Sequence, residues 1–149
     1  MSAPPAPLLT VVTLGVRDVA ASAHFYEQLG FVRKMRATGD EIAFFDAGGL
    51  VLALWDRDKL AADAAAVGST AQRQAFGNAT LAWNCRTPAA VDAAFAHALA
   101  AGAVPLRRPE ATDYGGYRGY FADPDDHVWE VVQAPGFGFT EKGELILPD

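Results

Sequence analysis

Cysteine is nearly absent from this sequence: Cys85 is the only cysteine among its 149 residues. A lone cysteine excludes an internal disulfide and any zinc site built from several thiolates. Its apolar neighbours in the segment LAWNC indicate a buried strand thiol. No apolar run reaches the roughly 18 residues that a membrane span requires. The opening residues MSAPPAP also lack the basic and apolar stretches of a secretory signal. We therefore expect a cytoplasmic protein with no membrane partner.

Positive charge is also scarce. The chain has 12 lysine and arginine residues against 18 aspartate and glutamate residues, so its formal net charge is −6. A chain of this sign repels phosphate backbones, and its basic residues are scattered rather than gathered in a stripe. We therefore expect no nucleic-acid partner. A content of 51% hydrophobic and 20% charged residues is typical of a soluble globular protein with one ordinary core.

The first half of the chain shows the order strand, helix, strand, strand, strand. Residues 10–16 (TVVTLGV) are rich in β-branched side chains and predict a strand, and the polar pair Arg17-Asp18 suits a helix start. Gly30 supplies the end of that helix. Three further strands are predicted over residues 31–37, 41–47 and 50–56. One face of the predicted helix carries Ser22, Phe25, Tyr26 and Leu29.

The second half repeats this order. Residues 79–86 predict a strand, Thr87-Pro88 a helix start, and Gly102 a helix end. Three strands follow over residues 103–108, 117–123 and 127–133, with a tight turn between the last two. The repeat divides the chain into a first module at 8–56, a linker at 57–75 with a short helix over 59–66, a second module at 76–133 and a tail at 134–149.

Three segments resemble the vicinal oxygen chelate superfamily, which includes glyoxalases, bleomycin and fosfomycin resistance proteins and extradiol dioxygenases. The resembling segments are residues 13–31, 76–103 and 115–131, the last reading GGYRGYFADPDDHVWEV. The resemblance implies an α+β fold in which two βαβββ modules form a cup-shaped mixed sheet. It also implies metal ligands on the first and last strand of each module, pointing into the cup.

Aligning the two halves on Arg17 with Arg86, and on Leu54 with Val131, locates the implied ligand positions. Divalent metals in such cups need histidine nitrogens and carboxylate oxygens. The four positions are Val11, Ala53, Thr80 and Glu130, and only Glu130 offers such a group. The three histidines do not complete the set, since two fall on the predicted helices and His127 starts a strand. We therefore expect no metal and no cofactor.

Side chains alternate across a strand, so residues two positions from the implied ligands also face the cup. This predicts a largely apolar cup with a few convergent polar groups, typical of a small-molecule site. A bulged register across the turn would pair Phe121 with Trp129 and Tyr120 with Glu130. The predicted walls are Trp55 and Tyr120, and the polar groups are Thr80, Asn84, Arg118 and Glu130.

Two roles remain open for Glu130. It is either a structural carboxylate hydrogen-bonded to Tyr120 or Arg118, or a desolvated carboxylate with a raised pKa that serves as a general base. The leading hypothesis is a metal-independent superfamily member that binds a small apolar or aromatic molecule. The alternatives are a metal-dependent lyase or isomerase of the glyoxalase type, and a non-enzymatic protein that sequesters an antibiotic.

The resemblance also implies a homodimer. The tail carries several large apolar residues that would be a liability if exposed in a monomer. They supply the expected contact between copies, and they are Phe137, Phe139, Leu145 and Ile146.

Overall fold

Two βαβββ modules make up the chain in a computed structural model that describes residues 9–64 and 79–149. Residues 65–78, which include most of the predicted linker, lie outside the described ranges. The first module consists of β1 (Val11–Val16), α1 (Val19–Leu29), β2 (Val32–Lys34), β3 (Ile42–Asp46) and β4 (Val51–Asp56). The second consists of β5 (Leu81–Asn84), α3 (Pro88–Ala100), β6 (Val104–Ala111), β7 (Tyr117–Ala122) and β8 (Val128–Gln133). Between them lies α2 (Arg57–Ala64), and the tail adds β9 (Gly138–Phe139) and β10 (Leu145–Ile146).

The two modules have the same sheet topology. The strand order is β1-β4-β3-β2 in the first sheet and β5-β8-β7-β6 in the second. The first and last strands of each module are parallel, and the other pairs are antiparallel. The predicted α+β fold class is therefore confirmed. In the described residues the two modules form two separate open sheets of four strands each, not one continuous sheet, and β9 and β10 pair in the tail.

Local side-chain chemistry sets the helix boundaries. Asp18 accepts a hydrogen bond from the Ala21 amide at 3.0 Å and caps α1, which ends at Gly30 with a left-handed φ of 117°. Thr87 caps α3 in the same way through the Ala90 amide at 3.1 Å. Short polar side chains suit these positions because they satisfy amides that lack a partner within the helix. The predicted helix starts are confirmed.

The strand predicted over residues 31–37 is wrong in its second half. β2 ends at Lys34, Met35 takes a left-handed φ of 48°, and Arg36–Thr38 form a 3-10 turn. The Arg36 guanidinium reaches back to the Glu27 carboxylate at 2.7 Å, and the Thr38 hydroxyl donates to the Met35 carbonyl at 3.1 Å. These polar contacts favour the turn over a longer edge strand.

The linker helix begins earlier than predicted. Asp56 accepts hydrogen bonds from the amides of Asp58 and Lys59 at 3.0 and 2.9 Å, so α2 starts directly after β4. The helix lies over the end of β1, where a Cβ on Gly15 would come within 3.0 Å of the Arg57 Cβ. None of the helices in the described ranges is long and apolar enough to cross a membrane.

One hydrophobic core joins the two modules. It contains residues of α1 and α3 together with the helix-facing side chains of both sheets, among them Phe45, Leu54, Phe121 and Val131. The Tyr26 hydroxyl of α1 donates to Asp123 of the β7–β8 turn at 2.6 Å. The His127 imidazole contacts the Gly15 carbonyl at 2.8 Å. These contacts between modules set the position of one sheet relative to the other.

Candidate functional site

The register of the second sheet places Arg118, Tyr120 and Glu130 on one face, which we call the polar face. Tyr120 is opposite Glu130 and Phe121 is opposite Trp129, as the bulged register predicted. Phe121 and Trp129 point to the α3 side and are buried in the core. Because side chains alternate along a strand, Tyr120 and Glu130 point away from the helix.

Cross-strand pairing extends the polar face into two rows. In the first row, Glu110 of β6 lies opposite Arg118, Arg118 opposite Val132, and Val132 beside Asn84. In the second row, Arg107, Tyr120, Glu130 and Ala82 follow one another across the four strands. Directly opposite residues of an antiparallel pair have Cβ atoms about 4.5–5.5 Å apart, close enough for their side chains to meet.

The polar groups of the two rows form a chain of contacts. The Tyr120 hydroxyl donates to Glu130 Oε1 at 3.4 Å, and the Arg118 guanidinium carbon lies 5.7 Å from the centre of the Tyr120 ring. Arg118 Nη1 donates to Glu110 Oε1 at 3.4 Å. Arg107 Nε donates to that same oxygen at 2.7 Å. Both 3.4 Å contacts are long for hydrogen bonds, so Glu130 and Arg118 are held loosely.

The environment of these groups shifts two pKa values. Burial raises the pKa of Tyr120, and the negative charge of Glu130 raises it further, against a lowering effect of Arg118. The hydrogen bond from Arg107 lowers the pKa of Glu110. Tyr120 therefore stays protonated at neutral pH and presents a hydroxyl donor to Glu130, while Glu110 stays ionised beside both guanidinium groups.

The corresponding face of the first sheet is apolar. Ala53 lies between Thr13 and Phe44, and Trp55 lies between Gly15 and Ile42. Ala53 is only 1% exposed. Trp55 is half-buried on this face, and within the described ranges no hydrogen bond or ring contact joins it to the polar face.

The implied metal positions do not fit a divalent ion. Thr13 is opposite Ala53 and Ala82 is opposite Glu130, so the two halves have matching registers at these positions. Val11 and Ala53 carry no donor atom, and Thr80 is an exposed residue before β5. Within residues 9–64 and 79–149, no three histidine, cysteine or acidic side chains come together as a metal site would require.

Two of the three histidines have backbone partners. His97 Nε2 contacts the Leu29 carbonyl at 3.0 Å, and His127 Nε2 contacts the Gly15 carbonyl at 2.8 Å. Both contacts join elements of different modules. These imidazoles are therefore placed to hold the modules together.

A cavity of about 1000 Å³ is lined by residues of both modules and of the tail. Its lining includes Val12 and Leu52 from the first module and Trp83 and Trp129 from the second. Phe139 of the tail lies at its edge, with its ring 4.8 Å from the Arg86 guanidinium carbon. Among the predicted site residues, the lining includes Thr80 and Asn84 but not Trp55, Arg118, Tyr120 or Glu130.

Sequence reasoning did not single out Arg107 and Glu110. They lie on β6, whose register against β7 shifts on both sides of Arg107. A simple alternation therefore assigns their faces wrongly. One sequence feature could have indicated this pair. Arg107 and Glu110 carry opposite charges three residues apart, and Pro109 between them interrupts strand pairing.

The comparisons with known proteins agree on the family. The model of the Glyoxalase/Bleomycin resistance protein/Dioxygenase superfamily matches residues 8–131. A glyoxalase-related enzyme from Fulvimarina pelagi is 36% identical, with a TM-score of 0.81 over 95% of this chain and 99% of that one. A glyoxalase/bleomycin resistance protein/dioxygenase from Nocardioides is 26% identical, with a TM-score of 0.70 over 90% and 88% of the two chains.

More distant structures show only that the fold is shared. The lactoylglutathione lyase from Agrobacterium tumefaciens is 22% identical, with a TM-score of 0.64 over 88% of this chain and 96% of that one. Among curated proteins, none matches the chain. The repeated module, the shared sheet order and the match over most of its length show that the chain belongs to the Glyoxalase/Bleomycin resistance protein/Dioxygenase superfamily.

Proposed function

We propose that the protein binds a small apolar or aromatic molecule on the polar face without a resident metal ion. The observation that carries the proposal is the half-buried group of Arg118, Tyr120 and Glu130, in which the Tyr120 hydroxyl contacts Glu130 and the Tyr120 ring lies beside the Arg118 guanidinium. Convergent polar groups orient a small ligand, while contact with an aromatic ring such as that of Tyr120 adds affinity. Trp55, Thr80 and Asn84 are proposed as further ligand contacts.

The missing donors support the metal-independent part of the proposal. Of the implied ligand positions, only Glu130 offers a charged oxygen, and one carboxylate does not hold a divalent ion tightly. Elemental analysis of the purified protein after dialysis tests this directly. One equivalent of zinc, nickel, manganese or iron retained per chain would refute it and favour a metal-dependent lyase or isomerase.

Glu130 is proposed as the group that accepts a proton or a hydrogen bond from the ligand. Its contact with the Tyr120 hydroxyl is 3.4 Å long, so a ligand donor can replace Tyr120 at little cost. Glu130→Gln keeps the volume and some hydrogen bonding but removes the base. The variant should keep the wild-type melting temperature and lose ligand affinity or any proton-transfer activity.

Glu141→Gln is a matched control for Glu130→Gln. It removes the same charge from an exposed position in the tail. Ligand affinity measured by isothermal titration calorimetry should be unchanged in the control. If both variants bind a measured ligand as the wild type does, Glu130 has only a structural role.

We also propose that the protein forms a homodimer through its tail. Of the residues expected at this contact, Phe137, Leu145 and Ile146 are 39–48% exposed in the single chain, and Phe139 is half-buried under the Arg86 guanidinium. Apolar residues clustered in this way are typical of contact surfaces. Light scattering at micromolar concentration should give twice the chain mass of 15.8 kDa. A monomer mass at that concentration would refute the proposal.

A further inference from the structure

We propose that the ligand of the polar face carries a carboxylate and that Arg118 binds this group. The inference rests on the proposed function of this face, and it names the class of ligand. It begins from the Arg118 side chain, which is only 15% exposed. Removing a guanidinium from water to this extent is costly unless charged or polar partners replace the lost hydration.

The partners of Arg118 do not replace that hydration. Among the described residues, its side chain makes one hydrogen bond, from Nη1 to Glu110 Oε1 at 3.4 Å. Its other N–H groups have no protein acceptor there. A guanidinium group whose N–H donors are all hydrogen-bonded typically makes short, often bidentate contacts with carboxylates. Arg118 therefore has unused donors that a ligand can reach.

Glu110 is a weak competitor for Arg118. The same Oε1 atom accepts from Arg107 Nε at the shorter distance of 2.7 Å, and the Glu110 side chain is 52% exposed. Solvent weakens an exposed ion pair, so exchanging this contact for a ligand carboxylate costs little. The ligand carboxylate would approach Arg118 from the open side of the sheet and leave Glu110 with Arg107.

The neighbours of Arg118 define the rest of the ligand. Val132 lies opposite Arg118, and the Tyr120 ring lies 5.7 Å from the guanidinium carbon. Val132 is buried, so the half-buried Tyr120 ring offers the apolar contact next to the positive charge. Glu130 lies beyond Tyr120 and would repel a second carboxylate, so the anionic end of the ligand is directed to Arg118. These contacts fit an aromatic carboxylate.

The experiment compares 2-naphthoate with 2-naphthamide, its neutral counterpart, in nuclear magnetic resonance titrations of ¹⁵N-labelled protein. We expect the wild type to bind 2-naphthoate about 10- to 100-fold more tightly than the amide, the range that a charge-assisted hydrogen bond supplies. In Arg118→Gln the two compounds should bind alike. Arg118→Lys should give an intermediate preference because lysine keeps the charge but loses the fork of donors.

Two further variants sharpen the test. Arg108→Gln makes the same charge change at an exposed neighbour on β6, and it should keep the wild-type preference. Glu110→Gln removes the competing carboxylate and should tighten 2-naphthoate binding by about two- to fivefold without affecting the amide. A variant that merely damages the fold cannot produce this gain.

The outcomes separate this inference from the proposed function. If both compounds bind the wild type equally and shift the Tyr120 and Glu130 signals, the polar face binds small molecules and the role of Arg118 is refuted. If Arg118→Gln keeps the wild-type preference for 2-naphthoate, the role of Arg118 is likewise refuted. If neither compound binds, the aromatic ligand class of the proposed function is wrong, and the inference falls with it.

Discussion

Replacing Tyr26 with phenylalanine should destabilise the protein strongly, because its hydroxyl group lies in a closed hydrogen-bond network between the modules. Tyr26 is 0% exposed and Asp123 is 1% exposed. The hydroxyl donates to Asp123 Oδ2 at 2.6 Å and accepts from Trp129 Nε1 at 3.2 Å. The other carboxylate oxygen accepts from the amides of Asp125 and His127, both at 2.8 Å.

The substitution removes one atom and leaves two buried groups without a partner. The phenylalanine ring keeps its packing against Phe25 and Trp129, whose ring centroids lie 5.0 and 6.1 Å from that of Tyr26. Asp123 Oδ2 loses its donor, and the Trp129 indole loses its acceptor. Each unpaired buried group costs about 1–3 kcal/mol, so the free energy of unfolding should fall by about 2–6 kcal/mol. At roughly 2–4 °C per kcal/mol for a chain of this length, the melting temperature should fall by about 4–24 °C.

Tyr117→Phe is the matched control. Its hydroxyl donates to Asp92 Oδ1 at 2.8 Å in an exposed position, where water replaces the lost partner. Thermal unfolding followed by circular dichroism, together with urea titration, should show a large loss for Tyr26→Phe and almost none for the control. If the two substitutions lowered the free energy of unfolding equally, the hydrogen bonds of Tyr26 would contribute no more to stability than the exposed hydrogen bond of Tyr117.

Three further predictions concern other parts of the molecule. Burial raises the pKa of Asp123 against the lowering effect of its hydrogen bonds, so the wild type should lose stability relative to Asp123→Asn as pH rises from about 4 through the raised pKa. Urea midpoints that differ by a constant amount across this range would contradict that direction. Gly119→Ala should destabilise the protein and disturb the β6 register, because the new Cβ would lie 3.0 Å from the Pro109 nitrogen. Unchanged amide chemical shifts along β6 would contradict this. Arg86→Gln should speed hydrogen exchange in the tail hairpin, since it removes a 2.8 Å bond to the Thr140 carbonyl. An unchanged rate would show that the hairpin does not depend on that bond.

Most of the element order and much of the polar face could be predicted from the sequence alone. Asp18, Thr87 and Gly30 act within one helical turn, so their preferences for helix ends hold whatever packs against the helix. Strand alternation, combined with the size of Phe121 and Trp129, was enough to place Tyr120 opposite Glu130. These features depend on neighbours that are close in sequence or on a period of two.

Only the tertiary structure decided the features that join distant segments. The Tyr26–Asp123 hydrogen bond links residues 97 positions apart, and no local preference indicates that they meet. The shifted register of β6 puts Glu110 opposite Arg118 and Arg107 opposite Tyr120, although regular alternation along that strand would have placed the two charges on opposite faces. The sequence by itself determined most of the order of helices and strands and which side of β8 carries Glu130. Packing between the modules determined the Tyr26–Asp123 contact, and the irregular edge strand β6 determined which charges lie near Arg118. Both depend on how separate elements dock rather than on the residues within any one of them.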